Sequence, residues 1–203
     1  NEEARVAPVL HDVERTVDAT LATAQAGAPV GRRLSVPGGT IHEWRGSVLI
    51  PSVSVEQLVH ALETPGLPPP SDDVLDARVL AKDGHSLQVY LKLTRSAILS
   101  VTYDTVHDVV FTPRTPQLAT SRSVATLIRE DGGSDHGFLW RLNSYWRYEQ
   151  RGSDVLVTLF SLSLSRDVPA IARPIASPII DGIGRESMLR TLDAVDRFGR
   201  RLG

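Results

Sequence analysis

An α+β fold, with a curved antiparallel sheet closed over a C-terminal helix, is what the sequence predicts, and three observations carry the prediction. Two long alternating stretches, GFLWRLNSYWRYEQR and DVLVTLFSLSLSRD, meet at a short turn around Gly152. Several strand-like segments precede them with no helical pattern in between, as in an antiparallel meander. An amphipathic helix follows a Pro-rich apolar crossing and closes the chain. A bent sheet that grips a helix encloses a cavity, so the shape suits an apolar molecule without naming one.

Composition sets the bounds. The 203 residues, 41% apolar and 23% charged, suit one soluble domain with a substantial core. A net charge of −2 provides no basic field for nucleic acid or an anionic membrane surface, so neither is an expected partner. The absence of cysteine removes disulfides, thiolate metal sites and cysteine nucleophiles. No apolar run reaches the roughly 18 residues of a membrane span. The start, NEEARVAPVL, has no initiator Met and no basic-then-apolar signal pattern. It reads as a trimmed end, from signal-peptide removal on export or from shortening of the chain.

From the N-terminus, Val6, Val9, Leu10, Val13, Val17 and Leu21 recur at three- and four-residue steps and predict an amphipathic helix over 8–26, with Gly27 as its stop. GGTIHEWRGSVLIP is rich in strand formers between Gly38 and Pro51. Ser54 with Gln57 forms a capping-box signature for a short helix that buries Val55, Leu58, Val59 and Leu62 and ends near Thr64. PGLPPPSDD cannot continue it and reads as an exposed loop. Four strands follow: VLDARVLAKD, SLQVYLKLTR after the turn at Asp83-Gly84, AILSVTYDTVHDVVFTP, and SRSVATLIRE before the loop DGGSDHG.

Strict alternation then puts Phe138, Trp140, Leu142, Ser144, Trp146 and Tyr148 on an apolar face, with Arg141, Asn143, Tyr145, Arg147 and Glu149 on a wet one. The last strand has apolar groups on both faces, with Leu156, Thr158, Phe160, Leu162 and Leu164 on one and Val155, Val157, Leu159, Ser161 and Ser163 on the other, so its inward face stays open. AIARPIASPIIDGIG, broken by prolines and glycines, predicts coil or a short helix acting as a lid. From Arg185 onward Met188, Leu192, Val195 and Leu202 form a stripe flanked by Leu189 and Phe198. Glu186 with Arg190, Asp193 with Arg197 and Asp196 with Arg200 are acid-before-base pairs on the outer side.

Little in the sequence points to a reaction or a cofactor. The six histidines lack HxH or HExxH spacing, and His42–Glu43, His107–Asp108 and Asp135–His136 are strand neighbours that face opposite ways, so no metal site is expected. Ser144, His107 and Asp104 supply the members of a triad, yet no nucleophile elbow supports one. DGGSDHG has neither phosphate-loop spacing nor a following helix. Arg122, Arg129, Arg147 and Arg151 are offset by Glu130, Asp131 and Glu149. No catalytic residue and no cofactor is assigned. Tyr90, Tyr103, Tyr148 and Arg141 are candidates to orient a polar head group, with hydrogen bonding along the sheet surface as the plainer account. Arg166 with Asp167 reads as a local ion pair.

Taken in order, HEWRGSVLIP, FLWRLNSYWRYEQR, SLSLSRDVP and GRESMLRTL resemble a bacterial branch of the START-like, or SRPBCC, superfamily over residues 38–203. The resemblance implies the helix-grip fold: about seven antiparallel strands wrapped around the C-terminal helix, with a cavity that in relatives holds lipids, sterols, polyketides or other apolar compounds. Residues 1–37 then form a helical extension. Relatives often carry acids in the last strand where this chain has Thr158, Leu159 and Phe160, so no role of such acids transfers. The expected walls of a ligand cavity are Val89, Leu91, Val101, Trp140, Leu142, Trp146, Met188 and Leu192, with Tyr103 and Arg141 as polar contacts. The expected function is non-enzymatic binding or carriage of a small hydrophobic ligand. Two rivals stand beside it: a cyclase, dehydratase or hydrolase in the same cavity, and an interaction module with a filled core.

Overall fold

A computed structural model gives the fold and describes residues 2–96, 100–130, 139–167 and 173–203. Its elements are α1 (Glu2–Ala22), β1 (Gly27–Val36), β2 (Gly39–Ile50), α2 (Val55–Glu63), β3 (Val74–Asp83), β4 (Ser86–Ser96), β5 (Ser100–Thr115), β6 (Leu118–Glu130), β7 (Leu139–Arg151), β8 (Asp154–Arg166) and α3 (Arg173–Gly199). Among the described residues eight strands form one antiparallel sheet in the order β1-β2-β8-β7-β6-β5-β4-β3. Six successive strands run as a meander from β3 to β8, and β8 pairs along the whole of β2. The architecture is a helix-grip α+β fold. Seven of the strands are those the sequence predicts; the eighth, β1, lies between the N-terminal helix and Gly38, where no strand is expected. The helix ends at Ala22, and Gly27 opens β1.

Local chemistry explains the boundaries. Ser54 caps α2 by accepting from the Gln57 backbone N–H at 3.1 Å, while the Gln57 side chain accepts from the Ser54 N–H at 2.9 Å. Gly84 and Gly152, with φ of 53° and 64°, sit at the β3–β4 and β7–β8 turns, in a region that favours glycine. The prolines expected to break the last helix do not do so, because α3 already begins at Arg173. Pro174 falls in the first turn, where its missing N–H would have no helical partner, and Pro178 forgoes one bond of a 27-residue helix. Further along, the three acid-before-base pairs form as the spacing predicts, at 3.5, 3.1 and 2.9 Å.

The sheet is covered on both faces at β2 and β8. On the outer face Val6, Val13, Val17 and Leu21 of α1 pack on Ile41, Phe160, Leu162 and Leu164. On the inner face Val155 and Val157 join Ile50, Leu58 and Val195 beneath α2 and the end of α3. This settles the orientation of β8: its odd-numbered residues face inward, and both faces are apolar because a helix lies on each. The face of β7 predicted to be wet is partly covered as well, since Asn143 and Tyr145 donate to Glu14 of α1 at 3.2 and 2.6 Å. Burial first, then the bond to Glu14, raises the Tyr145 pKa.

Helix α3 approaches β2 closely because glycines leave space. A Cβ on Gly46 would stand 2.6 Å from Leu192, and one on Gly184 would stand 2.4 Å from the Trp44 indole nitrogen. Met188, Leu192 and Leu159 close that contact into a small core of their own, with Trp44, Val48 and Trp146 against it.

Candidate functional site

A cavity of about 690 Å³ lies between the inner face of the sheet, α3 and the segment joining α2 to β3. Ligand sites range from about 300 to 1,000 Å³, and this volume falls within that range. Its walls come from alternate residues of β4, β5, β7 and β8, which the pleat turns inward together.

Of the residues expected as walls, Val89, Leu91, Val101, Leu142, Trp146 and Met188 line this space, and so does Tyr103. Leu192 stands behind Met188, packed against the Gly46 backbone and Leu159. Trp140 and Arg141 are corrections. The pairing of β7 with β8 shifts register between Leu139 and Arg141, so the alternation breaks there. Leu139 and Leu142 therefore both face the cavity, and Trp140 packs in the cluster under α1. Arg141 is opposite Leu164, on that same outer face. Phe138 and the loop DGGSDHG lie outside the described residues.

Other assignments resolve in the same way. Tyr148 lines the cavity, and its hydroxyl pairs with Ser121 at 3.1 Å; burial pushes its pKa up. Tyr90 lies on the outer face, bonded to Asp104 and stacked under Arg78 at 4.4 Å, so the plainer reading holds for it. That bond removes Asp104 from any triad with Ser144 and His107. His42 turns inward to Ser165 at 3.1 Å, while its neighbour Glu43 turns outward to a bidentate pair with Arg32. Asp167 accepts from Thr40 at 3.2 Å. The loop PGLPPPSDD is not simply exposed: Gly66 and Asp73 are buried, and Leu67, Pro68, Pro69 and Ser71 form part of the cavity wall.

A polar strip crosses the apolar wall. Ser121 and Ser123 of β6, Ser144 of β7, and Ser161, Ser163 and Ser165 of β8 all face the cavity, flanked by His42 and His107. His107 Nδ1 contacts Ser123 Oγ at 3.2 Å, and its Nε2 contacts Thr105 Oγ1 at 3.0 Å. Burial lowers the His107 pKa to about 4, against a small opposing effect of Asp108, so the ring is neutral at pH 7. Sequence reasoning missed this strip, although the period-two serines in SLSLS are its signal. No group of three or more metal-binding side chains occurs among the described residues.

Several solved structures share this fold. A protein from Thermus thermophilus, TTHA0849, superposes with a TM-score of 0.59 at 15% identity, covering 77% of this chain and 96% of its own. A STAR-related lipid transfer protein from Xanthomonas axonopodis gives 0.55 at 17% identity, over 84% of this chain and 98% of that fragment. The fold is START-like. The Zhui aromatase/cyclase from Streptomyces sp. R1128 gives 0.52 at 12% identity, over 79% of this chain and 94% of its own, so the START-like frame also occurs in an enzyme. No protein-family model and no curated protein sequence matches the chain.

Proposed function

We propose that this START-like protein binds and carries a small hydrophobic ligand in the cavity between sheet and α3. The observation that carries the reading is the cavity itself: about 690 Å³, walled largely by aliphatic and aromatic side chains. Burying an apolar ligand there gains about 25 cal/mol for each Å² removed from water. The likeness to a protein titled as a lipid transfer protein supports the same reading.

Native mass spectrometry after incubation with a lipid extract is expected to show a bound species of defined mass. Leu91→Trp, which fills part of the cavity from β4, is expected to abolish that species while leaving thermal unfolding cooperative. An unliganded spectrum for the wild type, or equal loading of the Leu91→Trp variant, would refute the proposal.

A catalytic reading has the Ser123–His107 contact and the aromatase/cyclase likeness in its favour. A histidine whose pKa is about 4 is a weak base at neutral pH, and its ring is followed by Thr105 instead of a carboxylate. The two readings part on the recovered ligand: a carrier returns it with its mass unchanged.

A further inference from the structure

The hydroxyl strip specifies what kind of ligand the cavity accepts, and the inference rests on the carrier reading above. Thr105 Oγ1 donates its one hydrogen to the Leu91 carbonyl at 2.9 Å. Toward His107 Nε2 it is therefore the acceptor, which puts the ring hydrogen on Nε2. On the neutral ring Nδ1 is then an acceptor, and the hydrogen between it and Ser123 comes from the serine. Ser123 is left with lone pairs, and no hydrogen, facing the cavity.

The strand register extends this group into a row. Ser123 stands directly opposite Ser144, and Ser144 directly opposite Ser161. Neighbouring strands are about 4.8 Å apart, so the three hydroxyls span about 10 Å. Ser163 is opposite Leu142, one step along the same face. Ser144, Ser161 and Ser163 are half-buried on the cavity wall. A hydrocarbon filling this space would strip water from them and offer nothing in exchange, at a cost in affinity of about tenfold per hydroxyl.

We propose that the ligand is a flat or elongated hydrocarbon skeleton bearing hydroxyl groups along one edge, one of which donates to Ser123 while a second oxygen meets Ser144 or Ser161. The row prefers a free hydroxyl over the same oxygen capped as an ether, because the fixed direction of the Thr105–His107–Ser123 chain leaves Ser123 able only to accept.

Trihydroxystilbene, its trimethoxy ether and plain stilbene test this with the full chain, read by quenching of tryptophan fluorescence. The wild type is expected to bind the trihydroxy compound about tenfold more tightly than either of the others. In the double variant Ser123→Ala, Ser144→Ala that ratio is expected to fall toward one, with stilbene bound more tightly than by the wild type because the hydroxyls it would strip of water are gone, which also shows that the cavity has kept its shape. Equal wild-type affinity for all three, or a preference that survives the double variant, overturns the inference and leaves the carrier reading intact. Failure of every stilbene and of the lipid extract to bind removes both.

Discussion

At the scale of single residues, His107 ties stability to pH. Folding lowers its pKa from 6.5 to about 4, chiefly by desolvation, so between those values the unfolded chain holds the extra proton. The stability linked to this site is fully present above pH 6.5 and is lost progressively as pH falls toward 4, by up to about 3 kcal/mol. Urea unfolding at pH 7.5, 5.5 and 4.5 is expected to show that loss, and His107→Asn is expected to flatten the curve across the window. An identical pH dependence in both proteins would show that the proton is held elsewhere. Residue identity alone reveals such roles unevenly. The inward serines were legible in the period-two pattern of SLSLS, once β8 had an orientation. Trp140 was not, because a bulge is set by the partner strand: the sequence of β7 alternates smoothly across Leu139–Arg141, and only the register against Ser165 and Leu164 shows the extra residue.

At the scale of elements, α1 does for the outer face what α3 does for the inner one. Val17 and Leu21 are 2% and 3% exposed, seated on a sheet face whose other side forms the cavity wall. Leu21→Ala is expected to cost about 2–5 kcal/mol in unfolding free energy while leaving ligand affinity unchanged, since the cavity lies across the sheet. Denaturant titration alongside ligand binding separates the two effects, and a matching loss of affinity would mean that α1 shapes the cavity through the strands. The apolar spacing of α1, the capping box of α2 and the charge pairs of α3 were all readable, being local patterns of three or four residues. The start of α3 was hidden by Pro174 and Pro178, whose conflict with helix geometry depends on their distance from its first residue. Strand β1 was hidden for a different reason. At an edge of the sheet most of its residues stay exposed, so GAPVGRRLSV has little of the alternation that marks a buried strand.

For the molecule as a whole, the cavity is walled by segments far apart in sequence. The 64–73 segment forms part of its wall and ends at Asp73, whose carboxylate meets Arg190 of α3 at 2.9 Å. The Asp73 side chain is 8% exposed and that of Arg190 34%, so the pair is partly shielded, and Glu186 competes for the guanidinium only from 3.5 Å in solvent. Sliding or lifting this segment away from α3 would widen the way between the prolines and Met188 into the apolar interior, and the ion pair is one polar contact that such a motion must break. Arg190→Gln keeps most of the side-chain volume and removes the charge, which takes this ion pair away at the edge of the cavity. About 1 kcal/mol of lost closure corresponds to roughly fivefold faster ligand release. Stopped-flow displacement of a bound stilbene is expected to show that acceleration at low ionic strength, with a smaller difference between the proteins at 1 M salt as screening weakens the wild-type pair. Release at the wild-type rate would mean that the ligand leaves by another route, and that the Asp73–Arg190 contact serves only the fold.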